Sequence, residues 1–230
     1  MLLKVENLRK TFKTGWSKKR KVCAVAKANI SLNQGEIIGI VGETASGKTT
    51  LGLMLSGLLR PDSGHIYFKG EKAWSLNRRK RELLRRQIQI VFQHPESTFN
   101  PKWKLRRSVL EPFFLYGIPF SEEIISEQLG RVGLDTSVLN RYPAQLSGGE
   151  LQRISVSRIM SIKPAVVILD EPTSMLDTIT QAQIIRLLLK IQRQDNIGYV
   201  FISHDQDLVE LLCKRTYEID KGVLEERFAQ

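Results

Sequence analysis

The sequence predicts an α/β fold with a parallel core sheet, an N-terminal antiparallel β subdomain and an inserted helical subdomain. Residues 37–41 and 165–169 are apolar at every position, as expected of strands that a parallel sheet buries on both faces. A glycine-rich turn and then a helix follow the first of these strands, which is the order of elements in an α/β core. Residues 105–161 have helical periodicity and few strand signals, and they form the predicted helical subdomain.

The other predicted elements follow in chain order. Strands at 2–5 and 22–32 enclose a polar hairpin tip at 14–20 and belong to the antiparallel subdomain. The helical region is broken by the proline-containing segments 117–119 and 141–143. The remaining elements are helices at 48–57, 180–194 and 206–213 and strands at 65–69, 88–92, 198–203 and 216–219.

A single domain is predicted over residues 1–230. Its α/β core, including the β subdomain, takes residues 1–93 and 164–230, and its helical subdomain takes about 94–163. A composition of 42% hydrophobic and 26% charged residues is ordinary for a globular protein and excludes a disordered chain.

The chain lacks the features of a secreted or membrane-spanning protein. No apolar run approaches the roughly 18 to 20 residues of a membrane helix, and the N-terminus becomes polar too soon for a signal peptide. Cys23 and Cys213 are too few and too far apart for a disulfide framework. We therefore expect two reduced, partly buried thiols in a cytosolic protein.

The net charge of +11 is concentrated in patches. Such patches suit nucleic acid or an anionic membrane surface, and they also suit a solvated face without a partner. No aromatic stacking motif is interleaved with them, which argues against an RNA-binding module. The patches are residues 18–21, residues 78–81 with Arg85 and Arg86, and Lys102, Lys104, Arg106 and Arg107.

Residues 42–49 match the phosphate-binding loop pattern G-x-x-x-x-G-K-[ST] between a strand and a helix. Glycines let backbone N–H groups close around phosphate oxygens, and the helix N-terminus adds partial positive charge. Lys48 is expected to neutralise the β- and γ-phosphates, and the Thr49 hydroxyl to ligate Mg²⁺. The residues predicted to bind the nucleotide here are Gly42, Glu43, Thr44, Ala45, Ser46, Gly47, Lys48, Thr49 and Thr50.

Two carboxylates, Asp170 and Glu171, end the apolar strand at 165–169. Asp170 is expected to hold Mg²⁺ through water, and Glu171 to act as the general base that polarises the attacking water. Two adjacent acids at a strand end can also be surface charge. A phosphate-binding loop in the same chain favours the catalytic interpretation, because hydrolysis of a nucleoside triphosphate needs this metal and this base.

Residues 146–150, Leu-Ser-Gly-Gly-Glu, form a second candidate phosphate-binding surface. Ser147 and Glu150 have capping-box spacing, so one interpretation is a well-capped helix start. That interpretation leaves the two glycines, Gly148 and Gly149, unexplained. A bare helix N-terminus with a serine hydroxyl can bind phosphate. Because the loop at 42–49 already covers the nucleotide of its own chain, a second chain is expected to use this surface.

Together these motifs resemble the ATP-binding subunits of ABC transporters, over essentially the whole chain. The phosphate loop, the segment 146–150 and the acidic strand 166–171 occur in that family's order and approximate spacing. The resemblance implies a P-loop NTPase core of ABC type with ATP and Mg²⁺ as cofactors. It also implies a second ATPase subunit (as a homo- or heterodimer), two transmembrane permease subunits and an extracytoplasmic solute-binding protein.

Four further residues receive roles from this resemblance. Gln93 matches the family's Q-loop glutamine, which senses the γ-phosphate and the metal. Asp177 matches the D-loop aspartate, which contacts the opposite subunit. His204 matches the switch histidine, a partner of the γ-phosphate and of Glu171. Phe12 resembles the aromatic residue that stacks on adenine.

Three of these four matches have a structural alternative. Ser203 and Gln206 have capping-box spacing, which would make His204 a residue of a helix start. Gln93 also suits an ordinary loop, and Phe12 also suits a core position. Glu150 stands where glutamine is frequent in the family, and Met175 where a smaller residue is usual; these departures affect tuning rather than activity.

Residues 91–101 and the pair Glu111-Pro112 resemble the corresponding region of importers for peptides, nickel and opine-type metallophores. The end of the chain at Gln230 favours the compact nickel or metallophore type. The resemblance thus implies a peripheral subunit at the cytoplasmic face of the membrane, without a specific nucleic acid. The alternatives are a non-transport ABC ATPase acting on nucleic acid or the ribosome, which the net charge favours, and a small P-loop kinase, which residues 146–150 and Asp170-Glu171 disfavour.

Overall fold

A computed structural model describes residues 1–14 and 20–227. Ten strands within these residues form one sheet. The predicted hairpin tip at 14–20 and the first basic patch lie largely outside the described residues. The strands are β1 (Leu3–Thr14), β2 (Arg20–Leu32), β3 (Ile37–Val41), β4 (Ser63–Phe68), β5 (Glu71–Lys72), β6 (Ile88–Val91), β7 (Val166–Asp170), β8 (Gly198–Ser203), β9 (Arg215–Asp220) and β10 (Val223–Arg227).

The strand order is β5-β4-β1-β2-β10-β9-β3-β8-β7-β6. Strands β9, β3, β8 and β7 pair in parallel, and β1, β2, β4 and β5 form the antiparallel part. Strand β10 joins the two parts, since it pairs antiparallel with β9 and in parallel with β2. The predicted α/β fold with an N-terminal antiparallel subdomain is confirmed.

Seven α-helices occur in the same portion of the chain. None of them is both long and apolar enough to span a membrane. They are α1 (Lys48–Leu55), α2 (Arg78–Gln87), α3 (Leu105–Tyr116), α4 (Glu122–Arg131), α5 (Gly148–Met160), α6 (Thr178–Asp195) and α7 (Gln206–Leu212).

Two compact units make up the chain. The first consists of Met1–Ile90, Ala165–Glu171 and Asn196–Gln230, and the second of Val91–Pro164 and Pro172–Asp195. The helical subdomain predicted at about 94–163 lies within the second unit. That unit also contains α6, because α6 packs against α5.

Each unit has its own apolar core. In the first unit, α1 packs on β7 and β8, and α7 packs on β3 and β8; the core strands β7 and β8 are buried throughout. In the second unit, α3, α4 and α5 enclose a cluster of buried side chains. The cluster consists of Phe99, Leu105, Val109, Leu110, Phe113, Ile125, Leu129, Val138, Leu139, Leu151 and Ile154.

Several elements differ from the sequence prediction. Strand β1 extends to Thr14 instead of ending at residue 5, because β2 and β4 pair with it along its length. Helix α2 was not predicted, because its two apolar residues, Leu83 and Leu84, are adjacent and give no helical periodicity; none of its residues is buried. Strand β10 follows the turn at 221–222 beyond the strand at 216–219.

The basic patches and the thiols also differ in part from expectation. An aromatic side chain does accompany the third patch, because the guanidinium of Arg107 lies 3.6 Å from the ring centroid of Trp103. Cys213 is buried, and burial raises the pKa of its thiol to about 12. Cys23 is exposed rather than partly buried.

Candidate active site

The order β3-β8-β7 brings three segments that contain predicted site residues to one edge of the sheet. All three strands run in parallel, with Val41 paired to Ser203 and Asp170 beside β8. The phosphate loop follows β3, Glu171 follows β7 and His204 follows β8. Because the carboxyl ends of parallel strands meet at the same edge, these segments lie side by side in the first unit.

The phosphate loop requires glycine at two of its positions. A Cβ atom on Gly47 would lie 2.1 Å from the carbonyl oxygen of Ala24, and φ at Gly47 is 112°. A Cβ atom on Gly42 would lie 2.4 Å from the carbonyl oxygen of Ile219. These close approaches hold the loop against the neighbouring strands, and they leave no space for a side chain.

Ala45 adopts a left-handed backbone conformation, with φ of 66°. Such a conformation costs an L-residue roughly 1–2 kcal/mol. The surrounding loop therefore imposes this conformation on a residue that has a Cβ atom.

The side chain of Lys48 folds back over the loop. Its residue is only 7% exposed, and its Nζ donates hydrogen bonds to the carbonyl oxygens of Gly42 (2.6 Å) and Glu43 (2.7 Å). Burial lowers the pKa of the Lys48 ammonium, and the carboxylates of Glu171 and Asp170 oppose that shift. The ammonium thus lies over the loop with two carboxylates nearby.

Asp170 has an unsatisfied carboxylate oxygen. The residue is 3% exposed, and Oδ1 has no hydrogen-bond partner among the residues described. Burial raises the pKa of Asp170, while a hydrogen bond from Thr49 opposes the shift. A buried oxygen without a partner is costly, and a hard cation satisfies it.

The donor set fits Mg²⁺. This ion usually binds through one or two protein oxygens together with phosphate oxygens and water, so it does not need a cage of side chains. Thr49 and Asp170 would supply two such oxygens. No group of three or more His, Cys, Asp and Glu side chains suited to a metal occurs in residues 1–14 and 20–227.

Glu171 and His204 form a close pair. The Nδ1 atom of His204 lies 2.9 Å from both carboxylate oxygens of Glu171. Glu171 is 8% exposed, and its N–H donates to the carbonyl oxygen of Ile202 at 3.0 Å. The capping box considered for Ser203 is not present, because Asp205 caps α7 and accepts from the N–H of Leu208.

The helix tip at Ser147 is a full capping box. Its hydroxyl accepts from the N–H of Glu150, while the Glu150 carboxylate accepts from the N–H and the hydroxyl of Ser147. These hydrogen bonds lower the pKa of Glu150. A Cβ atom on Gly149 would lie 2.6 Å from Cγ2 of Thr180, so close packing against α6 requires this glycine.

The remaining predicted residues are spread over both units. Gln93 follows β6 by two residues and is half-buried in the second unit. Asp177, also in the second unit, caps the first turn of α6 by accepting from the N–H groups of Ile179 and Thr180. Phe12 lies on β1 and is 38% exposed, with the Lys10 ammonium 5.8 Å from its ring centroid.

The structure thus brings together Lys48, Thr49, Asp170, Glu171 and His204. The nucleotide and metal roles of the predicted residues stay predictions. Sequence reasoning missed the buried Gln152, which follows the motif 146–150 by two residues. Its hydrogen bond to a backbone carbonyl leaves no pattern in the sequence.

The sequence profile of the ABC transporter family matches residues 25–174. The chain belongs to the ABC transporter family. The nickel import ATP-binding protein NikE of Escherichia coli (strain K12) is 42% identical over 201 residues, which cover 86% of this chain and 75% of NikE. The NikE protein of Shigella boydii serotype 4 (strain Sb227) is 41% identical over 216 residues, covering 92% and 81%.

Solved ABC structures have the same fold. A dimeric, post-hydrolysis state of the ATP-binding cassette MJ0796 with ADP and Pi superposes with a TM-score of 0.86 at 28% identity, covering 100% of this chain and 99% of that one. The cbiO1 protein of Clostridium perfringens, part of the transporter complex cbiONQ, gives a TM-score of 0.79 at 28% identity, covering 97% and 86%. This ABC protein is accordingly an ATP-binding subunit and an ATPase.

Two alanine–glycine exchanges in the phosphate loop are expected to act in opposite ways. Gly47→Ala should weaken ATP binding at least about tenfold, because the new Cβ atom displaces the loop from β2. Ala45→Gly should bind ATP normally and leave the free energy of unfolding unchanged or raised by up to about 1 kcal/mol. Titration with a fluorescent ATP analogue and denaturant unfolding measure both effects. Equal losses of affinity in the two variants would contradict this account of the loop.

Proposed function

We propose that the chain is the ATP-hydrolysing subunit of an importer for nickel, a metal–metallophore complex or peptides, at the cytoplasmic face of the membrane. ATP hydrolysis is supported by one observation: the Glu171–His204 pair lies at the same edge of the sheet as Lys48 and Asp170. The name of the NikE relatives, nickel import ATP-binding protein, supports the substrate class.

In this proposal each residue of the edge has a distinct role. The backbone N–H groups of the loop and the Lys48 ammonium bind the β- and γ-phosphates. Thr49 and Asp170, with Gln93, hold Mg²⁺, which when bound neutralises charge on the phosphates. Glu171 orients the attacking water and accepts its proton. His204 holds the Glu171 carboxylate in place and hydrogen-bonds the γ-phosphate.

A second ATPase chain completes the site. The N-terminus of α5 presents Ser147, Gly148 and Gly149, and the free N–H groups of a helix start favour a phosphate. In the proposed dimer they bind the γ-phosphate of the partner's nucleotide. Asp177 contacts the opposite subunit, and Phe12 stacks on adenine. The dimeric form of the MJ0796 cassette supports this arrangement.

Further partners follow from the importer function. Two permease subunits carry the solute across the membrane, and an extracytoplasmic solute-binding protein delivers it. The name of the cbiONQ complex supports the association of such a cassette with other transporter components. The alternative, an ABC ATPase acting on nucleic acid or the ribosome, draws only on the net charge of +11.

Replacing the proposed base gives a direct test of catalysis. Glu171→Gln should lower kcat for ATP at least about a hundredfold, because the amide cannot accept the water's proton, while ATP stays bound. The trapped nucleotide should hold two ATPase subunits together in gel filtration. Glu127→Gln, an exposed glutamate on α4, is the matched control and should keep the wild-type rate. Normal hydrolysis by Glu171→Gln would refute the assignment of the base.

The importer proposal predicts what co-purifies with a tagged chain from detergent-solubilised membranes. Hydrophobic permease subunits should be recovered, and the complex placed in vesicles should hydrolyse ATP several times faster when nickel-loaded binding protein is added. Metal-free binding protein and a peptide-loaded preparation are the comparisons. Recovery of RNA or DNA in place of permease subunits would favour the nucleic-acid alternative.

A further inference from the structure

The backbone at Glu171 has an unfavourable conformation. Its φ is 50°, in the left-handed region, although the side chain is not glycine. The next residue is Pro172, and a proline favours an extended backbone at the residue before it. Such a conformation persists only where the surrounding structure enforces it, and it often occurs at functional sites.

Two hydrogen bonds hold the backbone on either side of this strained residue. Before it, the N–H of Glu171 donates to the carbonyl oxygen of Ile202 on β8 at 3.0 Å. After it, the carbonyl oxygen of Pro172 accepts from Nε2 of Gln152 at 2.9 Å. Gln152 is 1% exposed and lies in α5, so this second hydrogen bond is shielded from water.

The amide of Gln152 is only half satisfied by hydrogen bonds. Its Oε1 atom is buried and has no hydrogen-bond partner in residues 1–14 and 20–227. An unpaired buried acceptor destabilises the fold, and leucine or methionine would fill the same space without that cost. Within the part of the chain that the structure describes, Nε2 is the atom of the Gln152 amide that makes a hydrogen bond.

The position of Gln152 is fixed by the packing of its helix. Close to the helix start, Gly148 lies against Leu176 and Gly149 against Thr180, both in the segment that follows Pro172. Arg153, the next residue of α5, donates to Gln183 of α6 at 3.1 Å. Helix α5 and the segment after Glu171 therefore pack against each other within the second unit.

We propose that Gln152 is a positioning residue for the catalytic base: its amide holds the Pro172 carbonyl and thereby fixes the strained backbone that aims the Glu171 carboxylate. This inference rests on the proposed function, because it assumes that Glu171 acts on water.

The first test compares two buried glutamines in the complex purified through a tag on this chain. Gln152→Leu should lower kcat for ATP about fivefold to tenfold, the effect of one buried hydrogen bond, with KM within about twofold. KM is unaffected because Gln152 orients the base and does not bind the nucleotide. Gln192→Leu, a buried glutamine of α6 outside the site, should retain kcat within about twofold.

The second test asks whether Gln152 acts through Glu171. In a Glu171→Gln background, the added Gln152→Leu change should leave single-turnover phosphate release unaltered, because the group being positioned is already absent. The positioning role would be overturned if Gln152→Leu lowered the rate by the same factor in both backgrounds. It would also be overturned if the substitution lowered ATP affinity together with kcat.

The outcomes separate this inference from the proposed function. A wild-type rate in Gln152→Leu, with Glu171→Gln inactive, would overturn only the role of Gln152. A wild-type rate in Glu171→Gln would refute the base and with it the positioning role. Both proposals would be supported if Gln152→Leu lowered only kcat in the otherwise unmodified chain and caused no further loss in the Glu171→Gln background.

Discussion

The parallel pairing of β3, β8 and β7 is the constraint on which the active site depends. It places the phosphate loop, Asp170 with Glu171, and His204 at one edge of the sheet. Strands buried on both faces are rigid, so the groups at their ends are positioned before any ligand arrives. The loop glycines and the left-handed backbone at Glu171 complete that positioning at short range.

Much of this arrangement was predictable from sequence because the responsible patterns are local. Residues 37–49 contain the strand, the loop and the helix start in one continuous pattern, and residues 166–171 contain the strand with its two carboxylates. The capping box at Ser147 and Glu150 is also a local pattern and is present as predicted. The parallel order of β3, β8 and β7 then brings the phosphate loop and the two carboxylates to the same edge of the sheet.

Other features depend on contacts that sequence patterns do not encode. Helix α2 has no buried side chain, so its sequence lacks the apolar periodicity that identifies a helix. Strand β10 joins the two parts of the sheet through partners almost 200 residues away, such as Lys27. Gln152 donates to a backbone carbonyl, which any residue type supplies, so no pairing of side chains points to it. Asp205 is the N-cap of α7, but the sequence does not identify it, because Ser203 and Gln206 also have the spacing of a capping box.

The central claim is that the Ser147 helix tip of one subunit completes the ATP site formed by the Lys48 loop of another subunit. A tagged Lys48→Ala chain, expressed in cells that keep the unmodified gene, cannot hold ATP itself but still offers its helix tip to a partner. After purification through the tag and irradiation with an ATP analogue carrying a photoreactive group on the γ-phosphate, peptide mass spectrometry locates the label. The account predicts label on residues 147–150 of the tagged chain. Label confined to the subunit that holds the nucleotide would contradict it.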